Sequence, residues 1–397
     1  MRTTGVGVEV GPDAEVGEGA IVVAGGSART ATPFASFTPI AKAGWGADEA
    51  DAAFAYRPDP DGLAFPNAAP PEPFGVDDAI ALFGERAVCV EASGPCTPTA
   101  SAQAWIDIVA AATAGGVCEG MVVFSLDRFV AAAQPPTYQL SLDTETNDRI
   151  LRLFATQFLP DVQQAAAANR GKDLDGVVSL IEDGLADGVG PYTLGIYGPT
   201  GGHSLVPYAV RRLTESQVTV YVYDPNWPGL DRYIEFDLAL VTWRYAMQTA
   251  NAADDPSPWF GTGDQIDVVA LVEREAPFIE PFAGAGTGEG TALLMITTRS
   301  RDWSITSGDE SITADTAKPG VGSVIAVSRG ASSSGVGTYL VNIEDGAVID
   351  GGDGGVDVSV VDEGRVLRGA SPTGGARYSF RSGDSGTGGD TRGPVLR

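Results

Sequence analysis

Gly201-Gly202-His203-Ser204-Leu205-Val206-Pro207-Tyr208-Ala209-Val210 is followed by a polar stretch, Arg211 to Gln217. Then come Val218-Thr219-Val220-Tyr221-Val222-Tyr223 and Asp224-Pro225-Asn226-Trp227-Pro228. Two β-prone runs joined by a short polar segment predict an antiparallel hairpin. His203 is the sole histidine among 397 residues. Imidazole is the side chain that ordinarily titrates near neutrality, so such proton transfer falls to His203 if the chain performs it. With the turn centred between Leu213 and Glu215, the position opposite His203 lies between Tyr223 and Trp227. Side chains alternate along a strand, so Asp224 and Asn226 share parity and either can face the histidine's side. A carboxylate or amide there would accept the imidazole N–H, fix its tautomer and, if charged, stabilise the imidazolium. An ordinary hairpin with one half-buried histidine has the same spacing.

The nucleophile candidate lies upstream, in Gly115-Gly116-Val117-Cys118-Glu119-Gly120-Met121-Val122-Val123-Phe124-Ser125-Leu126. The two glycines can end a preceding helix, and the apolar run to Val130 reads as a buried helix that Cys118 opens. Unpaired N–H groups and the helix dipole favour a thiolate at that position. A buried structural cysteine is the plainer reading of such a residue on its own.

Together, Gly116-Val117-Cys118-Glu119-Gly120-Met121, Gly201-Gly202-His203 and the strand ending in Asp224-Pro225-Asn226 resemble the papain-like cysteine peptidase superfamily, with its chain order Cys, His, Asp/Asn. The Val222-Tyr223-Asp224-Pro225 ending looks most like the bacteriocin-processing double-glycine peptidases. Phe74 to Tyr245 also looks like an uncharacterised microbial group with Gly-x-Cys-x-Gly-Met and Gly-Gly-His-x-x-x-Pro-Tyr motifs. The resemblance covers roughly residues 74–275. It implies Cys118 as nucleophile, His203 as general base and acid, and Asp224 as the residue orienting His203, with Asn226 as the alternative. The Cys-Gly-Ser-Cys-Trp signature of plant and lysosomal members is absent. So is the oxyanion-hole Gln a few residues before the cysteine. The nearest upstream is Gln103, which reaches the site only if the segment Ala102–Ala114 packs back against it; the Cys118 backbone N–H is the more secure oxyanion donor. The implied activity is a thiol hydrolase acting on peptide or isopeptide bonds. A transglutaminase-like acyl transfer uses the same triad, and a non-catalytic binding protein can inherit the same fold.

The chain carries 52 acidic and 25 basic residues, a net charge of −27, and only three lysines, Lys42, Lys172 and Lys318. With 43% hydrophobic residues it can still build a core. The composition looks like that of an extreme halophile, where salt screens repulsion between carboxylates. Its sign argues against nucleic acid and anionic membranes as partners. Peptide or protein substrates remain, and no cofactor is expected. Cys89 and Cys96 can form a small loop bridge. A zinc set of Cys89, Cys96, Cys118 and His203 is stoichiometrically possible, but the Cys-x6-Cys spacing is wider than structural zinc sites use, so no metal is expected. The N-terminus lacks a signal peptide's apolar core, and no run approaches the roughly 20 apolar residues of a membrane span, so the cytoplasm is the expected compartment.

The fold class expected is α+β, a papain-like catalytic domain followed by an all-β accessory domain. Residues 1–73 read as a weakly structured Gly/Pro/Ala-rich region, with a strand at Glu18–Ala24 and a linker at Asn67-Ala68-Ala69-Pro70-Pro71-Glu72-Pro73. The catalytic domain would span 74–280. Helices are expected from Val76 and over 102–114, 118–132, 147–168 and 173–186, then strands over 192–197, 203–210, 218–224, 231–237, 240–246 and Ile266–Glu273. Residues 281–381 read as a small β-rich domain with strands at Ala292–Thr297, Ser323–Val327, Gly337–Ile343, Val356–Val361 and Arg377–Phe380. Residues 382–397 read as a disordered tail. The Gly-rich run 284–290 has no following Lys-Ser/Thr, so it is not read as a phosphate-binding loop. Trp227 reads as packing, at most a wall of the site.

Overall fold

Among the described residues of a computed structural model, helices dominate from 58 to 185 and antiparallel strands from 192 onward. It describes residues 50–396 apart from 92–93, 171, 187–190, 199–200, 252–253, 283–290, 318–322, 328–335, 363–364, 372–374, 376 and 382–394. The expected strand at Glu18–Ala24 and the Gly-rich run 284–290 lie outside the described residues.

The helices are α1 (Pro58–Asp61), α2 (Val76–Phe83), α3 (Glu85–Val88), α4 (Ala100–Thr113), α5 (Cys118–Val130), α6 (Thr144–Ala155), α7 (Pro160–Arg170) and α8 (Leu174–Leu185). Their starts follow local chemistry. Thr99 Oγ1 accepts from Ala102 N–H, Asp143 Oδ1 from Thr146 N–H and Asp173 Oδ1 from Gly176 N–H, each satisfying a donor the first turn leaves open. The single helix expected over 147–168 is two. A 3₁₀ turn at Thr156–Phe158 is followed by Leu159 in extended conformation (φ −81°, ψ 136°), and Pro160 opens α7. Proline has no N–H to continue the ladder and disfavours helical backbone in the residue before it.

The strands of this region are β1 (Ala52–Ala53), β2 (Tyr192–Gly198), β3 (Gly201–Arg212), β4 (Gln217–Tyr223), β5 (Arg232–Asp237), β6 (Thr242–Tyr245), β7 (Trp259–Gly261) and β8 (Ile266–Ala270). They form one sheet in the order β7-β6-β5-β4-β3-β2-β8, with β1 added against β3. The expected hairpin is β3–β4, closed by Arg212 opposite Val218 and running to Val206 opposite Tyr223. A register shift between Pro207 and Ala209 coincides with the residue that cannot donate to the ladder. The shift lets Leu205 and Val210 join one core while Val206, Tyr208 and Ala209 join another. On the first of these faces pack Val177, Val178 and Ile181 of α8; on the second pack Val122, Val123 and Leu126 of α5. The last expected strand stops at Ala270, and Leu271–Arg274 form a 3₁₀ turn.

Residues from 50 onward belong to this packing, so the boundary expected at residue 74 falls inside a packed region. Ala52 and Ala53 pair with Val210 and Ala209 of β3. Tyr56 is fully buried and donates to Ser125 Oγ at 2.9 Å. Leu63 N–H donates to the Tyr223 hydroxyl at 3.2 Å.

Beyond Thr291 lie β9 (Thr291–Thr298), β10 (Ser304–Ser307), β11 (Glu310–Thr313), β12 (Val324–Val327), β13 (Thr338–Glu344), β14 (Val348–Asp350), β15 (Val356–Asp362), β16 (Arg365–Ser371), β17 (Arg377–Arg381) and β18 (Val395–Leu396). They form two five-stranded sheets, β12-β13-β9-β15-β16 and β11-β10-β14-β17-β18. One core draws on both, including Leu294, Ile296, Ile305, Tyr339, Ile349 and Phe380. Strands β10, β11, β14 and β16 were not expected. The first three are short or polar; β10 and β11 are joined by a two-residue turn with Gly308 at φ +57°. In the expected tail, Val395 and Leu396 pair with Arg381 and Phe380, while 382–394 lie outside the described residues. This region shares packing with the helices. Phe282, Leu293 and Leu340 cluster with Phe74 and Trp105, and the Trp105 and Phe282 rings lie 5.9 Å apart.

Cys89 and Cys96 are joined by a disulfide, the small bridge the spacing allowed, which removes both thiols from any metal set. Among the described residues, no single helix is long and apolar enough to cross a membrane.

Candidate active site

Cys118 is the first residue of α5 and is partly exposed. The turn before it needs glycine. Gly116 has φ +113°, and a Cβ there would lie 2.7 Å from the Asn67 amide. Val117 follows at φ −123° and ψ 33°, with no side-chain cap. Its N–H donates instead to Asn67 Oδ1 at 2.7 Å. Gly120, the second glycine of the motif, serves packing. A Cβ there would sit 2.1 Å from the Ile150 carbonyl oxygen and 2.9 Å from Phe154 Cβ, so α5 and α6 meet along it. Gly-Val-Cys-Glu-Gly thus encodes a left-handed turn, a helix start and a close helix contact in sequence.

His203 lies on the part of β3 that extends past the last β3–β4 pair, opposite Ile196 of β2. Asp224 is the first residue after β4. Its Oδ1 lies 2.7 Å from His203 Nε2, and both residues are buried, at 4% and 0% exposure. The same Oδ1 accepts from Asn226 N–H at 2.7 Å, and Oδ2 accepts from the Tyr245 hydroxyl at 2.5 Å. Of the two acceptors left open by parity, Asp224 meets the ring. Asn226 Oδ1 instead accepts from Asn67 Nδ2 at 3.0 Å.

Cys118 also interacts electrostatically with the His203 ring and favours its charged form. Burial disfavours charge on the ring. The attraction and hydrogen bond of Asp224, with the interaction of Cys118, outweigh it and raise the imidazole to about 10. Burial also opposes charge on Asp224. The imidazolium and the donors from His203, Tyr245 and Asn226 prevail and hold the carboxyl below its ordinary value. Burial and the neighbouring Asp224 charge push Tyr245 well above its ordinary value, so it remains a neutral donor.

A second buried group lies next to this one in sequence. Glu119 follows Cys118, and Ser204 follows His203; the Ser204 hydroxyl donates to Glu119 Oε2 at 2.5 Å. Glu119 Oε1 accepts from Arg274, whose other terminal nitrogen donates to Thr156 Oγ1 at 3.0 Å. Glu119 and Arg274 are exposed by only 1% and 4%, so their charges are paired inside the protein. The network ties the start of α5 to β3, the 3₁₀ turn after β8 and the 3₁₀ turn after α6.

Gln103 lies in the first turn of α4, and its amide donates to Asp107 Oδ1 at 2.8 Å on an exposed surface. The amide beside the nucleophile turn is Asn67. Trp227 packs under Arg232, whose guanidinium carbon lies 5.1 Å from that ring and 5.6 Å from Tyr245. Arg232 is held in turn by the carbonyls of Ala246, Thr249 and Ala250. The sequence reading missed Asn67, Glu119, Arg274 and Tyr245. A carboxylate amid the apolar run of α5 was the one signal available, since a buried Glu demands a partner.

No protein-family model, curated protein or solved structure matches the chain.

Proposed function

We propose that the protein is a thiol hydrolase of papain-like design that cleaves a peptide or isopeptide bond. The observation that carries this reading is the buried hydrogen bond between His203 and Asp224, coupled electrostatically to Cys118, a partly exposed residue at a helix start. Cys118 is the partly exposed member of the three, and His203 and Asp224 are buried. The helix N-terminus and the adjacent imidazolium both favour a thiolate.

In the reaction, Cys118 Sγ attacks the carbonyl carbon and the oxygen takes up negative charge. The Cys118 backbone N–H is the donor placed to stabilise that charge. His203 gives its proton to the leaving amine as the C–N bond breaks, which leaves a thioester and a neutral imidazole. The imidazole then takes a proton from water as its oxygen attacks the thioester. It returns that proton to the departing sulfur or holds it as imidazolium. Asp224 holds the ring and balances its charge throughout, and Tyr245 and Asn226 hold Asp224.

Unstructured polypeptides incubated with the protein at molar salt, with mass spectrometry of the products, test the reading. Cleavage by the native protein and none by Cys118→Ala is expected. Equal product from both would overturn it.

A further inference from the structure

We propose that Asn67 is a positioning residue of this site: with Asn226, it straps the turn that presents Cys118 to the turn that presents Asp224. The inference rests on the thiol-hydrolase reading.

Its basis is a series of hydrogen bonds that runs from the residue before Cys118 to His203. Val117 N–H donates to Asn67 Oδ1 at 2.7 Å, and Asn67 Nδ2 donates to Asn226 Oδ1 at 3.0 Å. Asn226 N–H donates to Asp224 Oδ1 at 2.7 Å, and that oxygen also holds His203 Nε2 at 2.7 Å. His203 in turn interacts electrostatically with Cys118. The backbone of Asn67 makes a further tie, its N–H donating to Pro225 O at 2.8 Å. A loop amide that only satisfied its own turn would bond to near neighbours in sequence. These side-chain bonds instead span 50 and 159 positions and end on Val117, next to the nucleophile, and on Asn226, two residues after the orienting carboxylate.

The position needs an amide. One end must accept from Val117 and the other must donate to Asn226; a carboxylate cannot donate and an aliphatic side chain can do neither. Gly116 makes room for it, since a Cβ there would collide with both ends of the Asn67 amide at 2.7 Å. The strap therefore fixes the separation of the two turns. That separation sets the distance from sulfur to ring, on which formation of the thiolate–imidazolium pair depends.

The test is the rate of Cys118 alkylation by iodoacetamide across pH at molar salt. It compares the native protein, Asn67→Ala, Asn226→Ala and the double variant, each with a circular-dichroism melt. Cys118 is the one cysteine outside the disulfide, since Cys89 and Cys96 are bonded to each other. The native protein should alkylate rapidly at about pH 6, well below the ordinary thiol range near about 8.5. Each single variant should lose about tenfold at that pH while keeping its melt. The double variant should be no slower than the slower single one, because both substitutions remove one shared bond. Should Asn67→Ala fold poorly, Asn226→Ala breaks the same bond and leaves Val117's acceptor in place. Unchanged alkylation at about pH 6 in the folded variants overturns the strap and leaves the hydrolase reading standing. A native protein that alkylates only as an ordinary thiol overturns the hydrolase reading, and the strap with it.

Discussion

His203 keeps its proton against its own burial, and that fixes the pH behaviour of the site. On the thiol-hydrolase reading, the reactive form pairs a thiolate with an imidazolium. Turnover should therefore persist through neutrality and decline as pH rises past about 10, where the ring deprotonates. A decline centred near about 6.5, the value of an unperturbed histidine, would contradict the pairing. Stability follows the same groups. The contribution of His203 is complete below about 6.5 and is lost as pH rises through about 10. That of Asp224 is present above 3.8 and is lost as pH falls through its lowered folded value. Asp224→Asn keeps the shape and removes the charge. It should lower turnover by about 10²–10⁴ and move the alkaline decline downward, as a pH–rate profile would read. The helix start at Cys118 and the His203–Asp224 contact were legible because each sits in a local pattern, a glycine turn before a helix or the end of a strand. Asn67 was not, because its surroundings, Ala-Ala-Pro-Pro-Glu-Pro, read as a linker and its partners lie 50 and 159 positions away.

Helix α5 is placed by two devices at its first turn, and each can be removed by one substitution. Gly120→Ala would drive a methyl into the Ile150 carbonyl, so α5 and α6 must separate. Such overpacking costs about 1–3 kcal/mol, and it should lower activity as well as the urea midpoint because the first turn carries Cys118. Glu119→Ala removes the carboxylate that pairs with the buried Arg274 guanidinium. Removing one member of a buried pair costs about 3–5 kcal/mol, so denaturant titration should register a loss of that size. A loss below about 1 kcal/mol would place the pair in a wetter setting than its burial indicates. Most elements of the helical and first β region were legible in hydrophobic periodicity, glycine turns and caps. The exceptions have physical causes. Helix α6 was extended through Leu159-Pro160, although proline there ends it. The short polar strand Ser304-Ile305-Thr306-Ser307 has too few apolar positions for alternation to register. Ala52–Ala53 forms a strand only because β3 offers an edge.

At the scale of the whole molecule, charge is the dominant fact: 52 carboxylates against 25 cations. The Debye length is roughly 30 Å at 0.01 M salt and roughly 3 Å at 1 M, so repulsion reaches across the surface only when salt is low. The melting temperature followed by circular dichroism should rise with salt; a flat or falling series would mean the acidic bias has another cause. The disulfide makes a separate, local contribution. It closes a loop of 7 positions, so replacing Cys89 and Cys96 by serine together should cost about 2 kcal/mol and leave turnover unchanged. The α+β class and the later β-rich region were legible from the shift of pattern after Pro191. The shared packing of Phe282, Leu293 and Leu340 with Trp105 was not, because pattern reports which residues are buried and not against what.

The claim at the centre is that Cys118 forms an acyl intermediate with the help of His203. Rapid mixing with a p-nitrophenyl acyl ester at molar salt, followed by peptide mapping, measures that step. The account predicts a burst of about one p-nitrophenolate per chain, a thioester on Cys118, no burst in Cys118→Ala and a much slower one in His203→Ala. Absence of a burst, or acyl groups found on lysine rather than Cys118, would contradict it.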